Sequence, residues 1–520
     1  MNAISLRRSS GGKDRNSLLI ASMLTQPSYA RRRLSASAEL AAPSWQGKSS
    51  VEEYDEPVKD PHRLPDCGAS FKFSARNRMN TQADLQRRSR ARPSHLGSSS
   101  RNTHRALRGQ PLPLRILTAV PICDGHDSAI ITINLELVRH GVEVIYLGYH
   151  RSVREIVRAA IQEDVQAIGL SSYNGGHVEF FGEVLSLLRR EGAHDISVFG
   201  GGGGTITPGD ATLMKRRGVD EVFFAGTPLD QIIGFVKQHY GRPKSVHSPQ
   251  STVHGRPSRS AGNVSDRELA KVLTTAESGL RPSTINYQLS TAVIGITGPG
   301  GAGKTTLIDE LALRFLNTYP KGRMAILSHD PSLAGSGALL GDRATMVNAQ
   351  DDRVFMRSLA TRGRAGGLSS ATRSCLQILR CAGFDLVLVE STGIGQEDLP
   401  FARGLVDRQI LVMSPDYGSR LQLQKIVMLE AADLVVVNKA DLPGGKTALS
   451  ELDQRLALNR RGQKLIGTVA KRHGDEGVDE LFGELDQKLQ TTNSKLQGSS
   501  KFQTPNSKKI PSLKLQNQPR

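Results

Sequence analysis

The chain is poor in cysteine, in aromatic residues and in long apolar runs, and each shortage excludes something. Its 520 residues hold four cysteines, Cys67, Cys123, Cys375 and Cys381. They show no zinc-ligand spacing and are too few for a disulfide framework, which points to a reducing compartment. No apolar run is long enough to span a membrane. Aromatics make up 5% and hydrophobics 38% of the chain, so part of it is expected to lie outside any packed core. Acidic residues are scarce at both ends. Residues 1–110 carry a net +11 and residues 491–520 a net +6, leaving +1 for the middle out of a total of +18. Basic charge confined to the tails argues against nucleic-acid binding by the folded part.

Residues 1–110 lack sustained periodicity and are rich in Ser, Arg and Pro. The first fifty hold eight Lys/Arg, two acids and eleven Ser, the composition of a mitochondrial transit segment or of a disordered basic region. The compartment, mitochondrial matrix or cytoplasm, stays open. Over 111–240, strand-like runs (Arg115–Val120, Val142–Leu147, Ala167–Ser171, Ile196–Phe199, Val222–Ala225) alternate with helix-like ones (Ala129–Arg139, Val153–Gln162, 178–190, 210–217, 229–239). Such alternation with short connections predicts a doubly wound parallel sheet with ligands at the carboxyl ends of its strands. Residues 241–264 read as a Pro/Ser/Gly linker. Ser265-Asp-Arg-Glu268 is a capping box opening a second α/β domain over 265–488. Its predicted strands are 293–297, Met324–Ser328, Asp385–Val389, Gln409–Met413 and Leu434–Val437. Residues 489–520 are Lys/Gln/Asn/Ser-rich and read as a disordered tail.

The second domain carries the chain's most specific motif. A β-branched run, Val293 to Thr297, leads into Gly298-Pro-Gly300-Gly301-Ala302-Gly303-Lys304-Thr305-Thr306, and a segment with helical spacing follows. Strand, glycine-rich loop and helix start are the context a phosphate cradle needs. Backbone N–H groups and the helix N-terminus face the anion. Lys304 is placed for the β- and γ-phosphates and Thr305 for Mg²⁺. The strand Leu434–Val437 ends in Asn438-Lys439-Ala440-Asp441. A carboxylate there accepts both the ring N–H and the exocyclic amine of guanine, which adenine cannot offer, so GTP is expected rather than ATP. Asp330 and Glu390 end two other strands, where a carboxylate can hold Mg²⁺ directly or through water. Gly393 and Gly395 suit a loop that closes on the γ-phosphate, and Gln396 or Glu390 could orient the attacking water.

In the first domain, Asp124-Gly-His126 follows the first strand. A neutral imidazole there could ligate a transition metal, with Asp124 fixing its tautomer. Ser171-Ser172-Tyr-Asn-Gly-Gly176 ends the third strand, and five glycines, Gly200 to Gly204, end the fourth before Thr205-Ile-Thr207. The glycine run is expected to leave room for something bulky. These motifs resemble the flavodoxin-like cobalamin-binding domain of acyl-CoA mutases. The second domain resembles the P-loop GTPase chaperone of those mutases, through Asp330-Pro-Ser, Ala338-Leu-Leu-Gly-Asp-Arg343, Met356-Arg-Ser-Leu-Ala-Thr-Arg362 and Ser414-Pro-Asp-Tyr-Gly418. Their order in one chain is that of the fused isobutyryl-CoA mutases.

The resemblance implies a set of site residues. His126 would be the lower axial ligand to cobalt, with Asp124 behind it, and the cofactor's displaced tail would enter a cleft at Ser172, Gly200, Gly201, Gly202 and Thr205. In the mutases the motif continues D-x-H-x-x-G, and Ala129 stands where that Gly falls. Lys304, Thr305, Asp330 and Glu390 would serve phosphate and Mg²⁺, and Asn438 and Asp441 would contact guanine; from the residues themselves, Lys304, Glu390 and Gln396 are the catalytic candidates and Lys439 joins the nucleotide-binding set. The fused mutases continue into a substrate barrel of about 250 residues, for which the Lys/Gln-rich end leaves no room. The expected function is therefore a cobalamin-binding GTPase that loads, gates or protects adenosylcobalamin at a mutase. The barrel would come from a partner subunit or from coding sequence beyond Arg520, and a homo-oligomer is the other partner expected. Two other readings stand beside it. One is a cobalamin carrier or sensor with weak GTPase activity; the other is a GTP-dependent metallochaperone, which the absence of a Cys/His cluster disfavours.

Overall fold

The computed structural model describes residues 112–122, 124–126, 128–241, 264–280, 291–393, 399–401, 404–415, 427–459 and 461–499. The expected N-terminal basic region and most of the linker lie outside them.

Two parallel sheets form the framework. The first holds strands β1 (Arg115–Ala119), β2 (Glu143–Tyr146), β3 (Ala167–Ser171), β4 (Ser197–Gly201) and β5 (Val222–Phe223). Helices α1 (Ser128–Arg139), α2 (Val153–Gln162), α3 (His177–Arg190), α4 (Pro208–Arg217) and α5 (Leu229–Tyr240) alternate with them. Local chemistry starts two of these helices: Ser152 with Glu155 and Thr207 with Asp210 form capping boxes, the second with Pro208 just inside the helix.

The second sheet follows α6 (Asp266–Glu277), which the Ser265–Glu268 box caps as expected. Its strands are β6 (Ala292–Thr297), β7 (Met324–Asp330), β9 (Val354–Ala360), β10 (Leu386–Glu390), β11 (Arg408–Met413), β12 (Leu434–Asn438) and β13 (Lys464–Thr468). The intervening strand β8 (Ala338–Leu340) belongs elsewhere. Helices α7 (Lys304–Thr318), α8 (Asp342–Thr345), α9 (Thr372–Cys381), α10 (Val427–Ala431), α11 (Gly445–Asn459) and α12 (Glu476–Ser499), with a 3-10 turn at Asn348–Gln350, complete the described elements. The strand order β13-β12-β11-β6-β10-β7-β9 puts β6 in the middle, with neighbouring strands parallel. Each sheet is buried on both faces, as its near-continuous Val/Ile/Leu strands require.

Three strands go beyond the sequence expectation, each for a readable reason. β9 carries Arg357 and Ser358 inside its apolar run. β13 carries Lys464 and Gly467. β8 is three residues long and joins the other sheet, whose order is β5-β4-β3-β1-β2-β8. α12 runs to Ser499, beyond the domain end expected at 488.

The insertion of β8 joins the sheets. Ala338, Leu339 and Leu340 pair with Glu143, Val144 and Ile145. At Gly337 a Cβ would stand 2.0 Å from Val142 O, so only glycine lets the chain enter this edge. Beneath the pairing lies a buried ionic cluster. Arg115 Nη2 donates to Glu163 Oε2 at 2.8 Å, and Arg343 Nη2 stands 3.2 Å from Glu163 Oε1. Arg357 Nη2 meets Glu277 Oε1 at 2.5 Å, and Arg362 joins Glu143 at 2.7 Å and Glu277 at 3.1 Å. Burial alone would raise the Glu277 carboxyl, yet Arg357, Arg115 and Arg362 hold it at about 2. Removing one partner from such a cluster strands the others without solvent. Glu163→Ala should lower the unfolding free energy by about 3–5 kcal/mol, read by chemical denaturation. A loss below about 1 kcal/mol, the level of an exposed ion pair, would show that the cluster does not hold the sheets together.

Candidate functional site

The nucleotide-site residues converge at the carboxyl ends of β6, β7, β10, β12 and β13. Gly298, Gly300, Gly301, Ala302 and Gly303 form the turn between β6 and α7, and Gly303 ends it at φ 87°. A Cβ there would also come within 2.3 Å of Asn438 Nδ2. Lys304 folds over the turn, its Nζ 3.2 Å from both Gly298 O and Pro299 O. Burial lowers its pKa, while Glu390 and Asp342 oppose that shift. Thr305 Oγ1 donates to Glu390 Oε1 at 2.8 Å, with Asp342 Oδ1 3.5 Å away, and Thr306 is exposed.

Three carboxylates crowd this end of the sheet. Asp342, which the sequence reading did not single out, accepts a hydrogen bond from Ser328 and faces Thr305 beside Glu390. Burial pushes Glu390 up to about 8, and the Asp342 charge adds to it. Burial raises Asp330 as well, followed by the charges of Asp342 and Glu390. Asp330 Oδ2 and Glu390 Oε2 are buried without a hydrogen-bond partner. Three hard oxygen donors against one lysine fit a divalent cation such as Mg²⁺. Among the described residues no group of three or more His, Cys, Asp or Glu forms a ready cage. A cation here would thus need the Thr305 hydroxyl, phosphate oxygens and water, the habit of Mg²⁺. Buried His329, kept neutral by a pKa near 4 through desolvation, braces the site between Glu390 O and Thr372 Oγ1.

Gly393 lies against the phosphate turn, where a Cβ would stand 2.6 Å from Gly300 Cα. Gly395 and Gln396, expected in the same loop, lie outside the described residues.

At the base end, Asn438 is buried and both ends of its amide are engaged. It donates to Ala302 O at 2.9 Å and accepts from Ala470 N at 3.0 Å and Thr468 Oγ1 at 3.1 Å. It therefore ties the phosphate turn to the loop after β13. Lys439 takes φ 59°, and Asp441 reaches the rim, paired with Lys471 at 3.0 Å. That hydrogen bond keeps the Asp441 carboxyl below its usual range. Asn438→Ala leaves the buried Ala302 carbonyl and Ala470 amide without partners. GTP affinity is expected to fall about 10- to 100-fold by titration calorimetry, given about 1–3 kcal/mol per unsatisfied buried group.

The residues expected at the cobalamin lie at the carboxyl ends of β1, β3 and β4. Asp124 is buried and organises the loop. Its Oδ1 meets His126 N at 3.0 Å and His126 Nδ1 at 2.8 Å, and its Oδ2 accepts from Tyr173 N and Asn174 N. Burial opposes ionisation, but the Tyr173, His126 and Asn174 donors outweigh it and lower the carboxyl's pKa. With Nδ1 held, Nε2 is the ring nitrogen left for a metal. The His126 ring is largely exposed and leans on Tyr173, centroids 4.6 Å apart.

Beside it opens a mainly apolar cleft of about 530 Å³, walled by α1 on one side and by Phe199, Gly200, Gly201, Gly202 and Gly203 on the other. Thr118 lines its floor with a buried hydroxyl that has no hydrogen-bond partner. The chain thus offers an aromatic-sized cavity, a polar contact inside it and an oriented imidazole at its mouth, which fits the displaced tail of a cobalamin. Two expectations need refinement. The glycine run does not stand empty: a Cβ would stand 2.3 Å from Leu170 O at Gly200, 2.4 Å from Phe223 O at Gly201 and 1.7 Å from Ser172 O at Gly202. The glycines let neighbouring backbones close up into a thin wall; only Gly204 faces open space. Ser172 and Thr205 fasten that wall, through Asn174 O at 3.3 Å and Tyr173 O at 2.7 Å, and do not line the cleft.

Comparison with known proteins agrees with this geometry. The family profile "Methylmalonyl Co-A mutase-associated GTPase MeaB" matches residues 272–511, and "B12 binding domain" matches residues 114–232. A fused isobutyryl-CoA mutase of Cupriavidus metallidurans is 39% identical over 401 residues, covering 73% of this chain and 36% of that protein. One from Geobacillus kaustophilus is 37% identical over 397 residues, with 72% and 36% covered. The chain therefore spans about a third of the length of these relatives. A Pyrococcus horikoshii protein described as a GTPase is 38% identical over 233 residues, covering 42% of this chain and 72% of that protein. The chain belongs to the methylmalonyl-CoA mutase-associated GTPase family, and it carries a B12-binding domain ahead of the GTPase in the same polypeptide.

Proposed function

We propose that this chain hydrolyses GTP with Mg²⁺ and holds adenosylcobalamin through His126, so that the nucleotide times the loading, gating or protection of the cofactor at an acyl-CoA mutase. The observation that carries the reading is the coexistence of two constellations: Lys304, Thr305 and Asp441 at the carboxyl ends of one sheet, and Asp124-oriented His126 beside a tail-sized cleft.

In the first crevice, turn amides and the α7 N-terminus bind the phosphates, and Lys304 swings from the Gly298 and Pro299 carbonyls onto the β- and γ-phosphates. Thr305, Asp330, Asp342 and Glu390 are the residues that would hold Mg²⁺. The cation supplies charge neutralisation on the triphosphate. Lys304 adds a fixed positive charge where the transition state concentrates negative charge. Glu390 or Gln396 orients the water. Gly393 lets its own backbone lie against Gly300 of the phosphate turn. Asp441 selects guanine once it exchanges Lys471 for the base edge.

In the second crevice, Asp124 fixes the His126 tautomer, so His126 Nε2 would be the atom that holds the cobalt. The cofactor, when bound, supplies homolysis of its carbon–cobalt bond. The thin glycine wall and Thr118 receive the tail. A mutase substrate subunit is the partner this arrangement would serve; among the described residues no helix is long and apolar enough to cross a membrane.

Purified protein tests both halves. Lys304→Ala should cut GTP turnover about 100-fold or more, the scale of losing one transition-state charge contact. Unchanged turnover would remove the GTPase assignment. Asp441→Asn should shift preference from GTP toward xanthosine triphosphate, since an amide donates where the carboxylate accepted. Adenosylcobalamin at micromolar concentration should give the absorbance spectrum of histidine-ligated cobalt, and His126→Ala should abolish it. Absence of cofactor binding by the unaltered protein would refute the cobalamin half.

A further inference from the structure

The segment after Asp330 touches both sheets. Asp342 stands beside Thr305, and Ala344, two residues later, faces the first sheet. Its carbonyl accepts a hydrogen bond from Arg151 Nη2 at 2.7 Å. Arg151 lies in the connection between β2 and α2. Its Nε donates to Leu147 O at 2.6 Å and braces its own loop. Its backbone N–H donates to Val120 O at 3.0 Å, and it bridges to Pro121 just beyond β1. The preceding residue, His150, is held at φ 58°, a left-handed conformation costly for any side chain but glycine. Its Nδ1 donates to Ile122 O at 3.0 Å, and its ring lies 3.6 Å from where a Cβ of Gly125 would stand. His126 is the next residue. Hydrogen bonds therefore run from Ala344 through Arg151 and, by way of the adjacent His150, to Ile122, four residues before His126.

That set has little slack. Arg151 grips Leu147 O and Ala344 O with one planar guanidinium, so displacement of Ala344 must move the 147–151 loop or break a hydrogen bond. On the GTPase side, Ala344 sits on the four-residue α8, tied directly to Asp342 and to β8, which is itself a strand of the first sheet. A cation and γ-phosphate arriving at Asp342, Thr305 and Glu390 would change the charge balance of three carboxylates, and so the position of this short element.

Resting on the two-site reading above, we propose that Arg151 is a positioning residue that passes the nucleotide state of the GTPase site to the His126 loop, through Ala344 on one side and His150 on the other. Linkage then requires the effect to run both ways: GTP changes cobalamin affinity by the factor by which cobalamin changes GTP affinity.

The test uses the full chain. Cobalamin affinity is measured by absorbance titration with GDP and with the β,γ-imido analogue of GTP, and each nucleotide's affinity is measured with and without cobalamin. The unaltered protein should show a ratio between nucleotide states of about 5-fold or more, equal in both directions. Arg151→Ala should bring the ratio close to one, and Arg151→Lys, which keeps one donor toward Ala344 O, should restore part of it. A purely structural Arg151 would lower thermal stability and leave the ratio alone, and that outcome overturns the proposal. Amide hydrogen exchange on the unaltered protein gives a measurement independent of any variant. Exchanging GDP for the imido analogue should change protection in both 143–151 and 120–126; no change in either segment overturns the proposal. If both ligands bind and the ratio is one, the coupling fails while the two-site reading stands. If neither ligand binds, the reading itself fails.

Discussion

Charge taken out of water must be matched by charge or by hydrogen bonds, and the junction between the two sheets obeys that constraint throughout. Arg115, Glu143 and Glu163 come from the first sheet; Glu277, Arg343, Arg357 and Arg362 come from the polypeptide after the linker. Neither set balances inside its own sheet. Glu163 alone collects Arg115, Arg343 and the amide and hydroxyl of Ser358. An apolar junction could slide at small cost. An ionic one with fixed donors and acceptors has a single register, and that register places the β7–β9 segment against β2.

The two ligand crevices solve opposite electrostatic problems. Around Lys304 the protein gathers more negative charge than it neutralises, raising Glu390, Asp330 and Asp342 above their ordinary range. That excess is unfavourable in the empty crevice and favourable once a divalent cation arrives. Around His126 the carboxylate is satisfied in advance: Asp124 receives three amide donors and a ring nitrogen and stays ionised. One crevice is poised to change on binding, and the other is preorganised to receive.

Much of this was legible in the sequence, and the remainder was hidden for physical reasons. Gly298–Thr306 and Asn438–Asp441 declare themselves because phosphate and guanine recognition need fixed residue types at fixed spacing. Strand ends such as Asp330 and Glu390 follow from the alternation of apolar runs. Asp342 was hidden because it follows a three-residue strand whose partner lies almost two hundred residues earlier in the chain. No local pattern reports such a pairing. β9 was hidden because Arg357, a residue normally read as exposed, is buried against Glu277. The glycines of 200–203 line the cleft, but not by leaving space beside it. They bring backbones together and so thin a wall, a purpose that only three-dimensional neighbours reveal. Asn438 likewise carries the sequence mark of a base contact, yet its amide holds two loops in place.

The strand β8 also decides where this protein can be cut. By sequence, the Pro/Ser/Gly stretch at 241–264 looks like the natural place to divide the polypeptide. In space, the first sheet is completed by residues 338–340, well inside the second half. A fragment ending near Gly241 would lose its outermost strand and present β2, with buried Glu143, Val144 and Ile145, as a bare edge. Unpaired strand edges of that kind recruit other chains. For any dissection of this polypeptide, the two ligand-binding halves are therefore one unit of folding and solubility, and the linker is a seam only on paper.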